Sequence, residues 1–409
     1  MNKKASLVVV ALVFLEWLDF SLYLYLAKSI FANQFFPPSK YSLMLSFALF
    51  AVGFLARPLG GWFFGKSADR NGRKSPLILS AALMGLATMG IALLPGFATI
   101  GIYATWGLLI LRIAQGLALG GEMNNSAMFM VEHQSSNPLI AGSWVAAGGA
   151  AGMFLGGATA ALLQTIEIDG LWRLVFFIVG LFSLWVCSLR KKIEESPEFF
   201  PNQASIKQIL KEEFSGLINI AILGTFVSVT VYICNVFWVS YAADSGVLSS
   251  KGCAWAGSIA QLLSALIAIP IAGYASPDKV RHLLLYSMAS AFIGAPVLFL
   301  FTANGYMAGI LAGLAFYILA NGLLCSALYY YLYLQLPAKY RCRGVSTVWA
   351  IAASIGAISL PLAQQAHLNH MAWLAPCWVS FIACAASVVL IRQITKTSSS
   401  RFYVLSETL

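Results

Sequence analysis

Glu16 and Asp19 lie three residues apart in an apolar run near the start of the chain, and Tyr23 follows four residues on. At about 100° per residue the three share one helical face. Two carboxylates that close, in a poor dielectric, resist carrying two charges at once, which suits a group that takes up and gives back a proton. The plainer reading is that one of them, Glu16 first, only pairs with a basic residue to hold helices together. A second polar face runs through Arg112, Gln115, Leu119, Glu122 and Ser126, an arc of about 80° at the helical period. The segment around it is apolar. Arg112 can hold the carboxylate of a bound molecule, or sit beside an acid and release it when that acid is protonated. A static ion pair is the bland alternative. Asp19, Glu122 and Glu16 are therefore candidate proton carriers, and Arg112, Gln115 and Tyr23 are candidate binding groups.

The second half of the chain offers a different chemistry. Tyr232, Asn235, Trp238 and Tyr241 follow at three-residue steps, and Asn321, Ser326, Tyr329, Tyr330, Tyr331 and Tyr333 crowd a later segment. Aromatic faces attract quaternary ammonium groups, which makes Tyr232, Asn235, Trp238 and Asn321 candidate binding groups. Tyr and Trp also gather at membrane interfaces for unrelated reasons. Metal and catalytic chemistry find no support. His133, His282, His367 and His370 lack the H-E-x-x-H spacing of a zinc enzyme, and the i,i+3 spacing of the last two is a weak metal hint. The seven cysteines fall mostly in apolar runs without a C-x-x-C pattern and read as small fillers. No enzyme activity, cofactor or metal is expected.

These residues need elements to hold them. The chain has 409 residues, of which 60% are hydrophobic and 10% charged, where a soluble domain carries about 25% charged residues. The deficit places it in the membrane class. The formal charge of +10 does not point to nucleic acid, because the charges sit in short loops between apolar runs. Runs of about 20 apolar residues, the length that crosses a bilayer, number twelve: 6–27, 41–65, 76–95, 101–131, 138–164, 171–189, 215–243, 252–275, 283–303, 306–336, 344–366 and 371–391. The fourth and tenth are long enough to tilt or project, and the third and ninth are the shortest of their halves. Of the 25 Lys and Arg residues, 19 fall on the side of the two termini and four (Lys28, Lys40, Arg173 and Lys251) on the other, with Arg57 and Arg112 inside spans. By the positive-inside rule both termini are cytoplasmic.

The expected fold is an all-α membrane protein of 12 transmembrane helices in two pseudo-symmetric six-helix bundles. The first bundle covers 1–189 and the second 214–392. A cytoplasmic linker covers 190–213, with a short surface helix at 203–213, and a short tail covers 393–409. Lys3 and Lys4 precede an apolar run as in a signal peptide, but Glu16 and Asp19 interrupt that run, so it reads as a retained first helix. Ionisable groups inside a membrane are costly and mark function by default. Here they are Glu16, Asp19, Arg57, Arg112 and Glu122, with Glu132 at the inner end of the fourth span. All lie in the first half.

The stretch Arg57-Pro-Leu-Gly-Gly-Trp-Phe-Phe-Gly-Lys-Ser-Ala-Asp-Arg-Asn-Gly-Arg-Lys74 joins the second and third spans. Gly65 lets a helix end approach a neighbour, and Gly72 allows a tight turn. The part Gly65–Lys74 of this stretch returns faintly 208 residues on, as Gly273-Tyr-Ala-Ser-Pro-Asp-Lys-Val-Arg-His282, and two related halves are what a rocking transporter needs. Its G-x-x-x-D-R-x-G-R-K loop resembles the signature of major facilitator transporters. Further segments narrow the resemblance: Leu15-Glu-Trp-Leu-Asp-Phe-Ser-Leu-Tyr23, Phe54-Leu-Ala-Arg-Pro-Leu-Gly-Gly61, Arg112-Ile-Ala-Gln-Gly-Leu-Ala-Leu-Gly-Gly-Glu122, Trp172-Arg-Leu-Val-Phe-Phe177, Glu194-Glu-Ser-Pro-Glu-Phe199 and Leu336-Pro-Ala-Lys-Tyr-Arg-Cys-Arg-Gly344. Together they resemble the metabolite:proton symporter branch, which includes proline/betaine, citrate, α-ketoglutarate and shikimate permeases.

The resemblance implies a proton-coupled importer of a small polar organic solute, a zwitterion or an organic acid, working by alternating access as a monomer in a bacterial inner membrane. Its partners would be the solute, protons and the bilayer, with no nucleic acid. It places Glu16, Asp19, Arg112 and Glu122 in the coupling and binding region. Gly65, Asp69, Arg70, Arg73 and Glu132 fall in the cytoplasmic gate, where Arg73 or Arg70 is expected to meet Glu132 and Asp69 the start of the eleventh span. A non-coupled or sodium-coupled facilitator, an exporter of the same fold and a non-transporting sensor are the alternatives. The sequence departs from the branch at Leu18, where Tyr is usual, in the loop Glu132–Gly142, which lacks basic residues, and in the second signature loop. The tail also lacks the heptads of a coiled coil.

Overall fold

A backbone in hydrocarbon has no water to bond, so each apolar run must satisfy its own N–H and C=O groups, and helices do so. The computed structural model describes residues 3–71, 74–120, 123–133, 137–166, 168–190 and 206–407. In chain order its membrane helices are α1 (Ser6–Gln34), α2 (Ser42–Phe64), α3 (Ile78–Leu93), α4 (Ile102–Leu119), α5 (Pro138–Leu163), α6 (Leu171–Ser188), α7 (Phe214–Asp244), α8 (Ser250–Tyr274), α9 (Pro277–Ala303), α10 (Met307–Gln335), α11 (Arg343–Leu368) and α12 (Leu374–Thr395). All but α3 are long and apolar enough to cross a membrane. The third span is short, as expected. The ninth is not, because a 3-10 turn at Pro277–Lys279 leads into it. Beyond α4 a further helix, Met123–His133, continues the chain, and Ile206–Glu212 forms the surface helix before α7.

The twelve helices sort into two sets of six. In the first, α1 packs on α5, α2 on α4 and α3 on α6. In the second, α10 packs on α8 and α9, α7 on α11 and α9 on α12. The sets meet along α5–α8 and α2–α11. Glycine makes several of these seams. A Cβ on Gly116 would lie 1.8 Å from the carbonyl oxygen of Gly53, one on Gly60 2.0 Å from that of Leu117, and one on Gly120 2.0 Å from that of Arg57. The backbones of α2 and α4 therefore touch, an approach open only to the smallest residues.

Proline shapes the junction between the sets. Pro58 sits inside α2 and has no N–H to offer the carbonyl four residues back. That carbonyl, of Phe54, accepts instead from Ser354 Oγ of α11 at 2.7 Å. One further irregularity falls in corresponding helices of the two sets. α1 contains a π-helical segment at Ala27–Phe31 and α7 another at Tyr232–Phe237, and no other occurs among the described residues. Such wide turns are frequent at functional sites.

Candidate functional site

The acids of α1 point into the first set. Asp19 Oδ2 accepts from Gln115 Nε2 of α4 at 2.8 Å and from Thr88 Oγ1 of α3 at 3.2 Å. Gln115 Nε2 is also 2.8 Å from Thr88 Oγ1, and Gln115 Oε1 accepts from Arg112 Nη1 at 2.7 Å. Arg112 and Gln115 are three apart on one helix, which brings their ends together. The amide of Gln115 thus stands between acid and base, touching each with its matching end. Asp19 Oδ1 and Arg112 Nε and Nη2 are buried with no protein partner among the described residues. Glu16 opens on a separate small cavity of about 30 Å³, lined also by Met84 of α3, Leu119 of α4 and Ser183 of α6. The shared helical face of Glu16, Asp19 and Tyr23 does not make a shared site.

Two guanidinium groups in the apolar interior rest on aromatic faces. Arg112 lies 4.1 Å from the ring centre of Tyr23, 5.1 Å from Phe20 and 5.2 Å from Phe50. Arg57 lies 3.6 Å from Phe54 and 4.8 Å from Phe20. Phe20 therefore stands next to both cations. Cation–π attraction is worth about 2 kcal/mol when desolvated, and here it helps hold charges that hydrocarbon would reject. Tyr23 is fixed in turn by its hydroxyl, which donates to the Ser46 carbonyl at 2.9 Å.

A cavity of about 80 Å³ lies between the two sets. Trp17, Phe54, Arg57, Gly149 and Met153 contribute from the first set, and Tyr232, Gln261, Asn321, Tyr329 and Trp349 from the second. Of the candidate binding groups read from the sequence, Tyr232 and Asn321 line this cavity, joined by Tyr329 of the aromatic cluster and by Arg57. Arg112, Gln115 and Tyr23 sit behind its wall. Asn235 bonds to the Tyr25 hydroxyl and donates to the Gly257 carbonyl at 2.9 Å. Trp238 turns its indole N–H to Thr302 Oγ1 of α9 at 2.9 Å. The wide turn of α7 changes the angular step between residues, so Tyr232, Asn235 and Trp238 face three different neighbours. Sequence reasoning counted Arg57 among the intramembrane charges without giving it a binding role, and it passed over Trp17, Gln261 and Trp349. The only signal for Arg57 was a charge beside a proline inside a span.

The two sets also touch at both ends of the cavity. Toward the signature loop, Glu132 Oε1 lies 3.0 Å from Arg341 Nη1, with both side chains buried. Arg341 also donates through Nε to the Leu336 carbonyl at 3.1 Å and stacks 3.7 Å from the Tyr333 ring. Glu132 thus has a partner at the start of α11 that was not foreseen. Arg73 and Glu122 lie outside the described residues, as do the side chains of Asp69 and Arg70 and the surroundings of Gly65, and so the gate and coupling contacts expected of them fall outside the described residues too. At the opposite end Lys28 of α1 pairs with Asp244 of α7, and His367 Nε2 of α11 lies 3.6 Å from the other Asp244 oxygen.

Comparison with known proteins gives a consistent picture. The family described as "Sugar (and other) transporter" matches residues 5–212. The proline/betaine transporter of Escherichia coli K12 is 31% identical over 71% of this chain and 63% of its own length. The α-ketoglutarate permease of the same organism is 28% identical over 83% of this chain and 81% of its own. The chain thus spans just under two thirds of the proline/betaine relative. Among solved structures, the human organic anion transporter MFSD10 superposes with a TM-score of 0.73 at 15% identity, over 95% of this chain and all of that one. The xylose transporter XylE of E. coli, in a partially occluded inward-open conformation, gives 0.67 at 16% identity, over 95% and 96%. At such identities these two likenesses concern the fold.

Proposed function

The chain belongs to the major facilitator superfamily, in the family of sugar and other transporters, and from that premise we propose that it imports a small polar organic solute together with protons. It is a multi-pass membrane protein; the inner membrane of a bacterium is the proposed setting, with the signature loop on the cytoplasmic side. The observation that carries the reading is the cavity between the two helix sets, with a guanidinium in its wall and contacts between the sets on both sides of it. Alternating access needs such a site at the interface of two repeats.

Proton coupling has its own place in this reading. Asp19 is one amide away from Arg112. When Asp19 is charged, the N–H end of Gln115 turns to it and the oxygen end to Arg112. Protonation removes the charge that orients Gln115 and so loosens its hold on Arg112. Both residues ride on α4, whose glycines lock it to α2, and α2 carries Arg57 into the cavity wall. Proton occupancy and solute occupancy would thus be felt through one rigid seam. Glu16 and Glu122 are supporting acids in this scheme.

Purified protein in proteoliposomes tests it, with labelled proline, glycine betaine, shikimate and α-ketoglutarate as solutes. An inward proton gradient should drive accumulation of at least one solute above its outside concentration. Accumulation that survives collapse of the gradient would end the symport reading and leave a facilitator or a sodium-coupled carrier.

A further inference from the structure

Among the described residues that line the central cavity, Arg57 is the only one with a formal charge. Its guanidinium is supported by the faces of Phe54 and Phe20, which leaves its N–H edge free. It makes no hydrogen bond or ion pair with another described residue within bonding distance, its Nε is buried without a partner, and the residue is 6% exposed. Glu16 is near enough to feel its charge but opens on the other, smaller cavity. Arg112 is a poorer receptor, being 1% exposed and already bonded to Gln115.

Two of the remaining polar side chains of the wall are bonded within the protein: Gln261 donates to the Tyr317 hydroxyl at 2.6 Å, and Asn321 donates to Gln261 at 3.0 Å. Ser228, Cys325 and the Trp17 indole N–H, the last buried without a partner among the described residues, are uncharged. The rest is mainly aromatic or aliphatic, with Trp17, Tyr232, Tyr329 and Trp349 the largest faces. A guanidinium fork donates two parallel N–H bonds to one carboxylate. A second carboxylate in this cavity would meet no cation, and an uncompensated buried charge is strongly disfavoured. A methylated ammonium could rest on the rings without needing an acceptor.

We propose that Arg57 receives the solute through one carboxylate, and that the cavity therefore selects singly charged acids and internal salts over di- and tricarboxylates. This rests on the transport reading above and names the charge class of its solute.

The test measures binding by titration calorimetry to the full chain in lipid nanodiscs. Four probes are used: glycine betaine, glycine betaine methyl ester, succinate and monomethyl succinate. Each member with one free carboxylate should bind about tenfold tighter, or more, than its counterpart with none or two. Arg57→Gln should bring betaine and its ester within about twofold, and Arg57→Lys should keep part of the preference, since an ammonium retains the charge without the fork. Succinate binding as tightly as its monoester, or an unchanged preference in Arg57→Gln, would overturn the assignment and leave the transport reading intact. If Arg57→Gln does not fold, the two ester comparisons on the unaltered chain decide alone. If none of the four probes binds, the assignment falls, and the proteoliposome test above decides the transport reading separately.

Discussion

Glu132→Gln is the most direct probe of how the end near the signature loop is held shut. The pair it breaks joins the helix beyond α4 to the start of α11, at 3.0 Å, with side chains only 2% and 8% exposed. Removing one partner of a buried pair costs about 3–5 kcal/mol, because the other charge is stranded. Arg341 keeps the Leu336 carbonyl and the Tyr333 face, so the lower limit applies. About 3 kcal/mol is roughly a hundredfold in the ratio of closed to open forms. Cys325 lines the cavity and can report on it once the other six cysteines are replaced. A membrane-impermeant thiol reagent applied from the signature-loop side should modify Cys325 up to roughly a hundredfold faster in Glu132→Gln. Arg341→Gln should act alike, and the double variant should add little, since the two residues share one interaction. Unchanged labelling in both single variants, or fully additive effects, would show that the pair does not hold this end closed.

Three other outcomes are expected. Asp19→Asn should abolish accumulation driven by a proton gradient while leaving downhill exchange measurable; accumulation with unaltered pH dependence would remove Asp19 from the coupling scheme. Gly120→Val places side-chain atoms where even a Cβ lies 2.0 Å from the Arg57 carbonyl, so it should lose about 3 kcal/mol or more and lower the thermal transition in detergent, whereas Leu162→Ala on the exposed face of α5 should not. Trp238→Phe removes the bond to Thr302 and leaves a gap where the fully buried indole packs, so it should cost about 2 kcal/mol of stability with no change in solute affinity; a weakened affinity at unchanged stability would return Trp238 to the binding site.

The sequence exposes what the membrane forbids more readily than what the protein assembles. Apolar runs and the rarity of charge mark the helices, because a bilayer tolerates few alternatives. Asp19 and Arg112 stand out for the same reason. What joins them is less legible. Gln115 is an ordinary polar residue until Thr88 and Asp19 arrive beside it from α3 and α1. Arg341 reads as one of several basic residues near α11, and only packing sets it against Glu132, 209 residues away. The bond from Ser354 to the Phe54 carbonyl needs both Pro58 and a neighbouring helix, and neither alone suggests it. Tyr232, Asn235 and Trp238 look equivalent in a regular spiral, and a wide turn separates their surroundings.

On the proposed transport reading, the π segments of α1 and α7 bear on the energetics of the cycle. The segment in α1 contains Lys28 itself and the one in α7 precedes Asp244, so both adjoin the cluster of Lys28, Asp244 and His367, while the helices bearing Glu132 and Arg341 have no such segment among the described residues. The two ends of the cavity should therefore be released differently. One requires a buried ion pair to separate as whole helices part. The other can yield by two helices bending at a loosened turn, with the halves still seated along α5–α8 and α2–α11. The half-cycle that faces Asp244 should then have the smaller activation enthalpy, and cooling should slow the other half-cycle first, leaving a protein that still binds solute on one side of the membrane after it has ceased to deliver it to the other.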